Sequence, residues 1–117
     1  MWFLVYLRCM TTTVVYSKPI FWKNLIKYQK GSVVSREIVK KSTSTVTLFA
    51  FDKNQGLSEH TTPFDALVQI LDGKGEFTID GVSHTIGKGE MLLMPAGYPH
   101  KVVAQEKFIM LLTMIKE

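Results

Sequence analysis

Gly89-Glu-Met-Leu-Leu-Met-Pro-Ala-Gly-Tyr-Pro-His100 is the stretch that decides the fold. Met91 to Met94 is a short apolar run of strand character. Pro95 sits where a strand ladder can end, because proline has no N–H to give, and Gly97 allows a backbone turn closed to other residues. The run therefore delivers one imidazole, that of His100, to the start of the next strand. A lone histidine is ordinarily a hydrogen-bonded core or surface residue. The fixed spacing of glycine, proline, glycine and histidine points instead to a histidine set in a defined place.

The chain on either side reads as short strands. Val33 to Val39 and Thr45 to Phe51 alternate in β fashion, and Asp52 to Gly56 is a loop. Asp72-Gly73-Lys74-Gly75 and Asp80-Gly81 carry turn chemistry, so Leu67 to Leu71, Glu76 to Ile79 and Val82 to Ile86 are expected as successive antiparallel strands. Phe108 to Ile115 closes the series. Six or more short strands at close spacing, with almost no helix and no repeat period, make an all-β sandwich or barrel. The one helical signal lies at Ile20 to Tyr28, where Phe21, Leu25 and Tyr28 recur at helical spacing and Gly31 follows as a stop.

Written as G-x5-P-x-G-x2-H, residues 89 to 100 resemble the second signature motif of the cupin family, with every fixed position present. The family's first motif, G-x5-H-x-H-x3-4-E-x6-G, is met in part. His60 stands at the first histidine, Thr62 at the second, Ala66 where the family has its glutamate, and Gly73 at the closing glycine. The resemblance spans roughly Thr45 to Ile115. It implies a jelly-roll barrel, or double-stranded β-sandwich, over 32–117, while the arm and short helix read from the residues over 1–31 lie outside it.

It also implies a site. As metal ligands only His60 and His100 carry over, so the resemblance suggests at most one divalent ion, Zn, Fe, Mn or Ni, with two family ligands replaced. Catalytic metal sites usually take about three protein ligands and keep open positions. Further donors would have to come from Thr62, Gln69, Glu59, Asp65 or His84. Strand alternation sets Gln69 and Asp65 opposite in direction to Ala66, Val68 and Ile70 unless a bulge intervenes. His84, on the face of Ile86, is a reserve ligand whose plainer reading is a satisfied sheet histidine.

Two imidazoles, a threonine and an apolar wall can also hold a small organic molecule directly. Thr62, Gln69 and Met94 are the residues expected to contact it. The function expected first is thus a small-ligand-binding barrel, with a metal optional. The alternative is a metal-dependent isomerase or dioxygenase using Glu59 or Asp65 for proton transfer. The chain has no Gly-x-Ser-x-Gly elbow, and Cys9 lies outside the barrel without an evident base, so a hydrolase triad is not expected.

Composition agrees with one small domain: 117 residues, 46% hydrophobic, enough for a core. A single cysteine, Cys9, permits no internal disulfide and suggests a reducing, cytoplasmic setting. No run reaches the ~18 apolar residues of a membrane helix, and the opening Met-Trp-Phe-Leu-Val-Tyr-Leu lacks the basic start of a signal peptide. Met10 before three threonines reads as an alternative translation start. If residues 1–9 are retained, Trp2, Phe3 and Leu4 predict an added edge strand or an apolar arm on a partner, with disorder as the alternative. The resemblance to cupins, together with the exposed edges of a small β-sandwich, implies a homodimer paired through sheet edges or exchanged N-terminal strands.

Charge is uneven. Residues 1–41 carry eight Lys or Arg against one Glu, and 42–117 carry six against nine acids. Phe21, Trp22 and Tyr28 interleaved with Lys18, Lys23, Lys27 and Lys30 raise the question of nucleic acid or another anionic partner. The reading preferred is an amphipathic segment lying on the barrel with its lysines in water.

Overall fold

The structure is a computed structural model that describes residues 7–10 and 17–117. Among the described residues nine strands form one hydrogen-bonded network: β1 (Leu7–Met10), β2 (Val33–Lys40), β3 (Ser44–Phe51), β4 (Gly56–His60), β5 (Asp65–Ile79), β6 (Val82–Gly87), β7 (Met91–Met94), β8 (His100–Val103) and β9 (Phe108–Ile115). The all-β architecture expected from the alternation is present, and β9 has the bounds read from sequence. β1 adds an edge strand, parallel to β2, with Leu7 opposite Val33 and Met10 opposite Arg36. Trp2, Phe3 and Leu4, on which the apolar-arm expectation rests, lie outside the described residues. Among the described residues no helix is long and apolar enough to cross a membrane.

The strand that shapes the barrel is β5. Glycine-rich 72–75 was expected to turn the chain; instead β5 runs unbroken for 15 residues and belongs to both walls. Its first part pairs with β9 and β7, and its last part with β6 and β8. The local turn chemistry is spent on a bulge between Ile70 and Asp72 and on Gly73, whose φ of +69° suits a residue without a Cβ. The bulge also shifts the inward set. Ala66, Val68 and Ile70 face the core before it, and Phe77 faces the core after it, a change of parity that an extra residue produces. Asp80-Gly81 does make the expected tight turn, both residues at positive φ.

The core lies between the walls. Phe51, Phe77 and Phe108 are fully buried; Phe51 and Phe108 stack with centroids 4.6 Å apart, and Phe77 meets Phe108 edge-on at 5.8 Å. A second apolar layer covers the outside of the β2–β3–β9 wall, where Ile26 is buried with Leu48, Ala50 and Ile109.

The segment providing that cover is not the helix expected over Ile20 to Tyr28. It contains one 3-10 turn, Trp22–Asn24. The turn has no side-chain cap at Phe21 and no acidic residue in its first turn, so nothing offsets the cost of helix nucleation in so short a piece. Packing places the side chains instead: Ile26 is buried and Phe21, one of the three helical-spacing residues, is 59% exposed. Lys18, Lys23, Lys27 and Lys30 are exposed. Tyr28 donates to Asp72 Oδ2 at 2.6 Å and ties the segment to β5.

Candidate functional site

His60 ends β4 and His100 begins β8, and the register sets them directly opposite each other. Cross-strand partners share a face, so the two imidazoles meet, their ring centroids 4.5 Å apart in an edge-on arrangement. The next residue across, Ile79 of β5, pairs with His100. Proline and glycine deliver His100 as the sequence predicts. β7 ends at Met94; Gly97, at φ +84°, turns the chain and donates its N–H to Thr62 O at 2.9 Å. Asp65 Oδ1 accepts from Ala96 N at 2.8 Å and braces the same turn.

Each ring is held by the same device. His60 Nδ1 lies 2.7 Å from Ser58 O, and His100 Nδ1 lies 3.3 Å from Tyr98 O. A carbonyl only accepts, so Nδ1 is the donor in both contacts, and in a neutral ring the lone pair then resides on Nε2. His100 is 3% exposed. Burial pushes its pKa below the usual histidine value, and the neighbouring His60 pushes it the same way, against a smaller opposing effect of the Tyr98 carbonyl. The pair is therefore two oriented imidazoles of which His100 resists protonation. Ile79, the cross-strand neighbour of His100, is half-buried against the inner core.

The remaining residues singled out from sequence are dispersed. Met94 faces inward, 3% exposed, opposite Ala66. Thr62 stands beside the pair through its bond to Gly97, but its Oγ1 accepts from Phe64 N at 3.3 Å in a local turn. Gln69 pairs with Met91 and Leu111 on the face away from Val68 and Ile70, which sets it on the outside of the wall. Asp65 lies on that outer face too, and Glu59 is exposed. His84 shares the inner face of β6 but stands opposite Phe77 and is exposed. Sequence reasoning could not find the Ser58 and Tyr98 carbonyls that aim the rings, because every residue carries a carbonyl and only the strand geometry selects these two.

These residues do not fit a resident divalent ion. Two imidazoles fall short of the three protein donors such a site usually takes, and the position aligned with the family's glutamate is Ala66, packed against Met94. Among the described residues no three of His, Cys, Asp and Glu come together to hold a metal.

A family model described as Cupin domain matches residues 47–116. The chain belongs to the cupin family. This cupin is similar over 91% of its length to a conserved protein of unknown function from Streptococcus pyogenes, 93% of which is covered, at 33% identity and a TM-score of 0.86. It is 39% identical to a cupin 2 conserved barrel domain protein from Leptotrichia buccalis, with a TM-score of 0.78 over 80% of this chain. The match takes in 46% of the Leptotrichia chain, so this cupin spans about half of it. An uncharacterized protein of Aquifex aeolicus is 28% identical over 80 residues, 67% of this chain and 66% of that protein.

Proposed function

We propose that this cupin is a ligand-binding barrel in which His60 and His100 receive a small organic molecule directly, with no resident metal. The observation that carries the reading is the edge-on imidazole pair, each ring held through Nδ1 by the carbonyl two residues before it. Held in this way, His100 directs its Nε2 lone pair away from Tyr98 O, so the favoured ligand offers hydrogen-bond donors, such as hydroxyl, amide or amine groups, on a body with an apolar part. An acceptor oriented beforehand gives specificity at low ordering cost, because each ring is already held through Nδ1.

The test has two arms. Elemental analysis of protein purified without chelator or histidine tag is expected to find no stoichiometric divalent metal. A thermal-shift screen of small hydroxylated and amine-bearing compounds is expected to find one that stabilises the wild type but not His60→Ala or His100→Ala. At 100 times its dissociation constant such a ligand adds ~2.7 kcal/mol, a shift of several degrees for a domain of this size. Near-stoichiometric metal that disappears in the double variant would overturn the proposal and lead back to a metal centre with a donor beyond the pair.

A further inference from the structure

On the outside of the barrel, segment 20–28 meets β5 and β9 along a groove of about 270 Å³. Ile26 and Ile109, both buried, form its apolar floor. Trp22 and Tyr28, half-buried, contribute two aromatic rings. The charged groups in the lining have both signs and come from different elements: Lys23 and Lys27, exposed, from the segment, and Asp72 from β5. Lys23 Nζ lies 5.8 Å from the Trp22 ring centroid, which keeps an ammonium beside that ring. Tyr28 donates to Asp72 Oδ2 at 2.6 Å and holds the carboxylate in place. A carboxylate offers about four acceptor positions, so this one bond leaves Asp72 able to take further donors.

We propose that this groove binds a free amino acid with a large apolar side chain. Its ammonium group pairs with Asp72, its carboxylate with Lys23 and Lys27, and its side chain lies on Ile26 and Ile109 beside the Trp22 ring. The signs of the lining charges select this class. A simple anion would gain the lysines but face Asp72, and a simple cation would gain Asp72 and the rings but face the lysines. A zwitterion on an apolar body satisfies both, and each charge-assisted contact penalises a molecule that lacks its counterpart. Size agrees as well: the volume falls just below the ~300 Å³ at which pockets for drug-sized ligands begin, which suits a molecule of amino-acid dimensions. The interleaving of Trp22 and Tyr28 with lysines, which in the sequence suggested an anionic partner, thus supplies one end of a site whose other end comes from β5. The groove lies in the outer apolar layer, so its occupancy does not depend on the His60–His100 pair.

Nuclear magnetic resonance titration of the full chain tests it, with L-phenylalanine and three analogues: hydrocinnamate lacks the amine, phenethylamine the carboxylate, and L-alanine the ring. L-Phenylalanine is expected to shift the Trp22 indole N–H and the Ile109 amide saturably, with a dissociation constant below about 1 mM. Each analogue is expected to bind about fivefold more weakly or worse. Asp72→Asn keeps an acceptor for Tyr28 but removes the charge, so L-phenylalanine and hydrocinnamate should then bind alike. In the Lys23→Gln, Lys27→Gln double variant L-phenylalanine and phenethylamine should bind alike. The proposal is overturned by an absence of saturation up to about 10 mM, by analogues that match L-phenylalanine on the wild type, or by shifts centred on His60 and His100. Should Asp72→Asn lose its cooperative melting transition, the lysine variant, altered only at exposed positions, carries the reading by itself.

Discussion

Gly75 faces the aromatic core of the barrel, and adding one methyl there sets up a quantitative test of how that core is packed. A Cβ at this position would lie 2.7 Å from both Cε2 and Cζ of Phe108 and 3.0 Å from Cε1 of Phe77. The Phe108 ring cannot swing away, because it is fully buried and stacked on Phe51 at 4.6 Å. Overpacking of this kind costs ~1–3 kcal/mol. Replacing glycine also restricts the unfolded chain, which returns ~0.4–1 kcal/mol, so Gly75→Ala should be net destabilising by about 1–2 kcal/mol. Phe108→Leu alone should cost about 2 kcal/mol through the void it leaves and the two aromatic contacts it removes. In the double variant the new methyl enters the space the ring vacated. The combined loss should therefore be about 2 kcal/mol rather than the ~3–4 kcal/mol of independent changes, a coupling of at least ~1 kcal/mol. Urea denaturation with an unchanged m-value is the assay. Additivity within ~0.5 kcal/mol, or a neutral Gly75→Ala, would refute the close approach of β5 to Phe108.

Four further outcomes follow from the same geometry. His100 has a folded pKa below its unfolded value of ~6.5, so the unfolded chain binds the proton more readily. Its contribution is complete above pH ~6.5 and declines as pH falls below that value; urea midpoints from pH 5 to 8 should show this slope in wild type and a flatter one in His100→Gln. Tyr28→Phe removes a 2.6 Å bond to the Asp72 carboxylate and should cost about 1.5 kcal/mol, the low end for a charge-assisted bond because the contact is only partly buried. In an ultraviolet titration of the wild type one tyrosine, Tyr28, should ionise above the ordinary range, because burial and then the Asp72 carboxylate disfavour its phenolate. Gly97→Ala meets nothing within 4 Å and carries only the strain of its positive φ, about 1 kcal/mol, whereas Gly73→Ala also drives its Cβ against the Lys107 carbonyl and Phe108 Cα and should lose several times as much in chemical denaturation.

Much of this protein is written in local sequence. Alternation located β2, β3 and β9, and Asp80-Gly81 made its turn, because each depends on backbone preferences within a few residues. The 89–100 motif placed His100 at a strand start for the same reason: proline and glycine act on the backbone where they stand. The resemblance to the cupin motif also put His60 and His100 in one site, with the family's second histidine and glutamate replaced by Thr62 and Ala66, which bears directly on how many donors a metal would find.

Tertiary structure decided what local preference could not. Residues 72–75 have the composition of a turn, yet pairing with β9 on one side and β6 on the other carries β5 through them, since long-range hydrogen bonds outweigh a turn's weak local advantage. The resulting bulge reverses the inward parity of the strand and makes Phe77, rather than its neighbours, a core residue. The segment 20–28 has a helix-like spacing, but its conformation is set by Ile26 and its neighbours packing on the outer wall. The 4.5 Å contact between the imidazoles likewise depends on the pairing of β4 with β8 and on two carbonyls that aim the rings. Sequence thus determined which residues could serve. Register, a property of strands distant along the chain, determined which of them meet.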